Sequence, residues 1–311
     1  MADRDEEKKS QRKPRSWFGR MFRALGPGFI TGAADDDPSG IATYSQTGAQ
    51  FGYGQLWTAV FLYPFMTAIQ EACARIGAVT KKGISQVIRE NYSKKVLMAA
   101  VTLILVANTI NIGADIGAMA AAARLIVPIP FAVITLLFTA LMLVLEISVP
   151  YKRYARILKW LGAVLLVYIA VVFMVHEPWG TILRATFLPH IRMNFEFLFI
   201  LVGVAGTTIS PYMFFWQASE EVEEEIEAGL DKRSGISKKF IRAMRFDNAF
   251  GMFMSELVAW CIIVATATIL NAKGVTDIRT AADAARALVP LVHTFPHAGF
   301  VAELIFVRKR S

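Results

Sequence analysis

Apolar residues along this chain gather into long blocks separated by short charged segments. The blocks at 56–74, 96–127, 131–149, 158–175, 195–217 and 249–270 have about the length, roughly 20 residues, that crosses a bilayer as helix. A further stretch, 25–49, is long enough but carries Asp35, Asp36 and Asp37 in its middle. The pattern predicts seven crossings, the first two joined by a tight turn at Phe51-Gly52-Tyr53-Gly54. Residues 176–194, with Pro178, Trp179, Pro189 and His190, predict an external connection bearing an interfacial aromatic. Past Lys273 the pattern weakens to an amphipathic or entering helix at 280–290. An apolar run at 298–307, too short to span, is followed by Arg308-Lys309-Arg310-Ser311. The expectation is an all-α integral membrane protein cut short in its eighth crossing.

Composition agrees with that pattern. With 55% hydrophobic residues, 19% charged residues and a mean hydropathy of +0.46, the chain is too apolar to hide its side chains in one soluble core. The net charge of +8 does not point to nucleic acid, because the basic residues sit in alternate short connections. Arg4 to Arg23, Arg75 to Lys95, Lys152 to Lys159 and Lys232 to Arg245 bracket them. The positive-inside rule then places the N-terminus in the cytoplasm and the protein in the cell (inner or plasma) membrane, its partners being the bilayer and its cargo. Residues 1–23 read as a disordered basic tail rather than a cleavable signal, and 307–311 as a charged end. The acidic run Glu220 to Glu227, followed by lysines and arginines, predicts a solvated helical face. Cys73 and Cys261 give neither a disulfide framework nor zinc spacing. No cofactor or enzymatic constellation is expected.

Two blocks share one irregularity. The first reads Gly26-Pro27-Gly28-Phe29 through Asp35-Asp36-Asp37-Pro38-Ser39-Gly40, and the sixth reads Gly203-Val204-Ala205-Gly206-Thr207-Thr208-Ile209-Ser210-Pro211-Tyr212. Proline removes a donor and clashes with the turn before it, and glycine relaxes the backbone, so each block should unwind near its centre. Unwound backbone at membrane depth is tolerated only inside protein or along a cavity. Two interrupted segments in corresponding places point to an inverted-repeat transporter with discontinuous first and sixth helices and its site at the breaks. The transmembrane domain then covers 24–306, with a first repeat at 24–176 and an incomplete second at 195–306. Each carboxylate at the helix centre costs about 3 kcal/mol on insertion scales, so three in a row approach ~9 kcal/mol unless something offsets them. A divalent cation does so, held by Asp37, freed carbonyls and the hydroxyls of Thr207, Thr208 or Ser210, all hard oxygen ligands. The alternative at this point is that the aspartates merely open a loop after a short re-entrant segment.

These residues resemble the Nramp divalent-metal transporters. Gly-Pro-Gly-Phe and the Asp-Pro-Ser-Gly break are similar to that family's first helix, where Asp-Pro-Gly-Asn is usual, and Gln50-Phe51-Gly52-Tyr53 and Leu56-Trp57 to the turn after it. The 206–212 segment is similar to its sixth helix, where Ala-Thr-Val-Met-Pro-His is usual. The resemblance implies a metal site at Asp37, Gly40, Thr207 and Ser210. Gly40 stands where the family has a ligand asparagine, and Ser210 replaces a methionine whose thioether favours Mn²⁺ and Fe²⁺. Loss of the sulfur and a pocket enlarged at Gly40 imply the Nramp-related magnesium transporter branch, carrying Mg²⁺ and also Mn²⁺, because Mg²⁺ keeps much of its water. Tyr212 stands in the place of the family's proton-route histidine, and the third helix offers Asn108, Asn111 and Asp115 with no clear acidic pair. Transport without proton coupling is therefore expected, the alternative being a proton-coupled Mn²⁺ or Fe²⁺ carrier. Asp35, Asp36, Asn111, Asp115, Thr208 and Tyr212 are candidate pathway residues. The family's ten-helix core further implies that this chain, lacking later helices, gives no flux by itself.

Other readings carry less weight. Asn108, Asn111 and the Gly113–Gly117 run also suit simple helix packing. Glu71 and Arg75 are spaced as a helical ion pair, and Glu146 and Glu256 as pathway or packing residues. An intramembrane aspartyl protease using Asp37 and Asp115 lacks a Gly-Xaa-Gly-Asp pattern. A sodium-coupled amino-acid carrier would have its carboxylate substrate repelled by the three aspartates.

Overall fold

The computed structural model describes residues 26–124, 127–149, 178–227 and 238–278, with positions 153, 168, 169 and 172. The expected tail, most of the block at 158–175 and everything past residue 278 lie outside the described residues. Every regular element among the described residues is helical. Four helical stretches, Lys94–Ala123, Phe131–Ser148, Phe195–Ile226 and Phe240–Lys273, are long and apolar enough to cross a membrane.

The first stretch is two helices. Helix α1 spans Pro27–Asp35 and α2 spans Pro38–Phe51. Asp36 and Asp37 lie between them with backbone angles outside the helical region. Proline at the first turn of each costs nothing, since that N–H would have no intrahelical partner. At α2 the Asp37 side chain accepts from Gly40 N at 2.7 Å and caps the new helix. At α1 the cap residue is Gly26, which has no side chain to offer. Asp247 supplies the acceptor from elsewhere: Gly26 N donates to its Oδ1 at 2.7 Å and Gly28 N to its Oδ2 at 2.8 Å. Gly52, at φ 59°, ends α2 in a conformation that favours glycine and leads through a 3-10 turn, Gly52–Gln55, into α3, Thr58–Thr80.

A short α4 (Ile84–Asn91) precedes α5 (Lys94–Ala123) and α6 (Phe131–Ser148). Only Ala120 of α5 and Ile134 of α6 are buried, and Leu103 and Leu136 are 71% and 69% exposed. Bare leucines on two such apolar helices suit lipid as the solvent. The expected external connection contains a helix, α7 (Trp179–Phe187), whose Ile182 and Thr186 are four apart and both buried. Trp260 Nε1 donates to Thr186 Oγ1 at 2.9 Å.

The second interrupted stretch consists of α8 (Phe195–Thr208) and α9 (Pro211–Glu227), separated by Ile209 and Ser210. The expectation of a solvated acidic face here is corrected: Glu220, Glu221 and Glu225 are buried. Their helix lies against α3 so closely that a Cβ at Gly77 would strike the Ala218 carbonyl. The carboxylates turned inward find donors, Lys81 Nζ pairing with Glu225 and Gln217 Nε2 donating to Glu221 at 3.0 Å. The Glu71–Arg75 pair is present and is joined by Arg245 at 2.8 Å.

The core is organised by α10, Lys238–Ile269. It runs parallel to the whole broken helix: Asp247 meets Gly26, Ser255 meets Asp35 and Asn271, just past its end, meets Ala49. Gly32 rests on the Gly251 backbone and Gly48 on Ile263 and Thr266, with no room for a Cβ at either. Val258, Ile262, Ile263 and Leu270 of this region form the main apolar cluster with Tyr44 and Leu56.

Candidate ion site at the facing helix breaks

The two breaks face each other. Tyr44 OH, from the second turn of α2, and Thr208 Oγ1, from the last residue of α8, are 3.0 Å apart, and Gln55 Nε2 donates to the Phe197 carbonyl at 2.8 Å. Gly40 lies beside the second break. A Cβ there would come within 3.2 Å of the Asp35 carbonyl and 3.4 Å of Thr207 Oγ1. The tighter of these contacts is with the same broken helix and the one to Thr207 is ordinary contact, so the enlarged pocket expected at Gly40 is not a void at that atom.

Asp37 is the hub. Its Oδ1 accepts from Gly40 N and from Ser39 Oγ, both at 2.7 Å. Its Oδ2 accepts from Asn111 Nδ2 of α5 at 2.9 Å and from Tyr212 OH of α9 at 3.1 Å. Four donors match the capacity of an ionised carboxylate, which has about four lone-pair sites. The two oxygens have different jobs. Oδ1 is committed to the start of α2, whereas Oδ2 is held only by side chains from two other helices. Oδ2 is therefore the oxygen more easily freed, by release of Asn111 or Tyr212.

Asp115, one turn beyond Asn111, belongs to the same group. Asn111 Nδ2 donates to Asp115 Oδ2 at 3.1 Å, and Asp115 Oδ1 is buried with no hydrogen-bond partner. Asn111 Oδ1 accepts from Ser39 Oγ at 2.9 Å. The single Ser39 proton is shared between Asp37 and Asn111. Ser39 was not singled out from the sequence, although a serine two residues after an aspartate in a turn is a familiar local hydrogen-bonding arrangement.

The second break contributes oxygens that are partly engaged. Ser210 Oγ donates to the Thr207 carbonyl at 2.5 Å and faces the Gly206 carbonyl at 3.3 Å, closing the frayed end of α8. Its oxygen and the second lone pair of the Thr207 carbonyl remain as acceptors. Thr208 points to Tyr44 instead of to Asp37. Asp35 also turns away, its Oδ2 accepting from Ser255 Oγ of α10 at 3.2 Å, and Asp36 makes no hydrogen bond to the Asp37 group. The three consecutive aspartates are thus divided between two sides of the break. Among the described residues no group of three His, Cys, Asp or Glu side chains is arranged to hold a metal ion directly. The Asp37 group is instead one carboxylate, with a second nearby, among amide, hydroxyl and carbonyl oxygens.

Residues 28–306 match the family model described as natural resistance-associated macrophage protein-like. The chain is 27% identical over 287 residues to a divalent metal cation transporter MntH of Mesorhizobium japonicum, covering 89% of this chain and 61% of the relative. It is 27% identical over 277 residues to the MntH of Klebsiella pneumoniae, covering 86% and 63%. It thus spans less than two thirds of either relative's length. In structure it is similar to the manganese transporter of Eremococcus coleocola solved with an aromatic bis-isothiourea substituted compound. That likeness has a TM-score of 0.67 at 17% identity and covers 94% of this chain and 64% of the other, a likeness of fold.

Proposed function

The chain belongs to the natural resistance-associated macrophage protein-like family, and from that premise we propose that it serves the transmembrane movement of divalent metal cations through a site at the two helix breaks. The observation that carries this reading is the Asp37 carboxylate, placed at one break and joined to the other by Tyr212 at 3.1 Å. The relatives' printed names, divalent metal cation transporter and manganese transporter, support the same substrate class. The proposed ligand set is Asp37 Oδ2, the Thr207 carbonyl and the Ser210 hydroxyl. Gly40 lies beside Thr207 in this set, and Asn111, Asp115 and Tyr212 line the way to Oδ2.

The finer reading is Mg²⁺, with Mn²⁺ as a second cargo, moved without proton coupling and with the N-terminus in the cytoplasm. An all-oxygen set with no thioether gives no preference for soft ions, and Mg²⁺ is held by few protein oxygens while keeping waters. Equilibrium binding of Mn²⁺ to the purified chain, with Mg²⁺ as competitor, tests the site. Binding that Asp37→Ala abolishes and that millimolar Mg²⁺ displaces is the expected result, and binding indifferent to Asp37→Ala rejects it. In proteoliposomes holding a version extended by the helices its relatives have, Mg²⁺ uptake without lumenal acidification separates the uncoupled reading from the proton-coupled one.

A further inference from the structure

We propose that Asn111 is itself a ligand of the divalent cation, and that its carboxamide turns over to become one. In the structure the amide nitrogen faces Asp37 and Asp115; with a cation held at Asp37, the amide oxygen takes its place. The inference rests on the reading of Asp37 as the ion's carboxylate and adds a residue to it. Asn111 and Asp115 are four apart on α5 and so share one face of that helix. Asn111 Nδ2 donates to Asp37 Oδ2 at 2.9 Å and to Asp115 Oδ2 at 3.1 Å, and its Oδ1 accepts from Ser39 Oγ at 2.9 Å. The chemistry of the partners fixes this orientation. An ionised carboxylate only accepts, so two of them draw the amide group that has two protons to give. The nitrogen thus occupies the point between two carboxylates.

A cation drawn to that point meets the wrong end of the amide. An ion on Asp37 Oδ2 repels an N–H aimed at the same oxygen, whereas the other end of the carboxamide is a hard oxygen, a ligand type that suits Mg²⁺, Ca²⁺ and Mn²⁺. The terminal torsion of asparagine is broad and nearly two-fold, so a half-turn exchanges the two ends without moving α5. Ser39 accommodates both arrangements. Its hydroxyl has one proton and two lone pairs, and in the structure Asp37 Oδ1 at 2.7 Å and Asn111 Oδ1 at 2.9 Å compete for that proton. After the half-turn Ser39 donates to Asp37 alone and accepts from Asn111 Nδ2, which satisfies both contacts. Without a cation the turned amide would set its oxygen against two carboxylates. The turn is therefore tied to the ion.

Asp115 completes the arrangement from behind. Its Oδ1 is buried and has no hydrogen-bond partner, and the half-turn withdraws Nδ2 from its Oδ2 as well. Mg²⁺ and similar ions keep several waters when bound by protein, and waters on the ion supply donors that these two oxygens can accept. Asn111 Oδ1 then stands beside Asp37 Oδ2 in the coordination shell, and the cargo ties α2 to α5.

The test reads direct coordination. The full chain is made by cell-free synthesis with asparagine carrying ¹³C at its side-chain carbonyl, purified in detergent, loaded with Mn²⁺ and examined by electron–nuclear double resonance. The expected result is a ¹³C coupling of the size given by a carbon bonded to a ligand oxygen, present in the wild type and lost in Asn111→Asp, which keeps an oxygen for the ion and still binds it. Asn111→Leu, of similar size but without a ligand atom, is expected to weaken Mn²⁺ binding about tenfold or more. Bound Mn²⁺ with no ¹³C coupling, coupling retained in Asn111→Asp, or Asn111→Leu binding as tightly as the wild type overturns the inference. Should the variants fold poorly, the labelled wild type decides alone, Asn111 being the asparagine bonded to Asp37. Any of these failures alongside binding that Asp37→Ala abolishes leaves the Asp37 site standing. Binding that Asp37→Ala leaves unchanged rejects that site instead.

Discussion

The Tyr212 phenol donates to Asp37 Oδ2 at 3.1 Å, so one half of the bundle holds the other through the very oxygen an ion would use. A hydrogen bond to a charged group contributes about 1.5–3 kcal/mol, and an ion must replace it. Tyr212→Phe therefore removes a competitor. Mn²⁺ affinity measured by calorimetry is expected to rise about tenfold, which corresponds to roughly 1.4 kcal/mol. A loss of affinity would show that the phenol oxygen is itself a ligand.

Asp37 has a structural duty that separates its two conservative replacements. Asp37→Asn keeps a side-chain oxygen for the Gly40 N–H, whereas Asp37→Ala loses the cap of α2, worth about 1 kcal/mol. Both variants are expected to lose metal binding. Only the alanine variant should also melt earlier in a detergent thermal-shift assay.

Gly32 and Gly48 sit where α10 leaves no room for a side chain. Gly32→Leu forces apart two backbones instead of displacing a flexible tip. Overpacking of this kind costs about 1–3 kcal/mol or more, and the expected outcome is loss of the monodisperse peak in fluorescence-detected size exclusion. Gly113→Leu, where nothing lies within 4 Å of the added atom, is expected to leave that peak unchanged.

Asp247 supplies both acceptors at the start of α1. Asp247→Ala leaves two buried N–H groups without them, at about 1–3 kcal/mol each. Faster amide hydrogen exchange at residues 26–30, with little change in α8, would report that local opening. Uniform exchange across both helices would contradict it.

Much of this architecture is legible in the sequence for simple reasons. Apolar runs set the membrane helices, and proline beside glycine or aspartate sets both breaks, because these are properties of the local backbone. The Glu71–Arg75 pair is equally local. What could not be read is the direction each side chain takes once the backbone leaves the helix. In a regular helix successive residues turn by about 100°, but Asp36 and Asp37 lie outside that regularity. Three adjacent aspartates read as one feature and are divided between the Asn111 side and the Ser255 side. The acidic run on α9 misled for a related reason. Its charge pattern looks amphipathic to water, yet the partners that bury it, Lys81 among them, come from a helix more than 140 positions earlier. Helix α7 is short, and the prolines that flank it, Pro178 and Pro189, together with Trp179 mask the four-residue spacing of Ile182 and Thr186 that seats it on Trp260.

The parallel course of α10 beside both halves of the broken helix has a mechanical meaning. Sliding α1 along α10 would break the two bonds to Asp247 and lift Gly32 off its seat at Gly251, with Gly48 locked at the far end. These three segments form a stiff plank. The ties from α1 to α9 and from α2 to α5 and α9 run through side chains, Thr31 to Gln217 and Asp37 to Asn111 and Tyr212. Such contacts can be exchanged one at a time. Relative sliding in this bundle would therefore be easiest along the polar seam that passes through Asp37, where each tie is a single exchangeable side-chain bond.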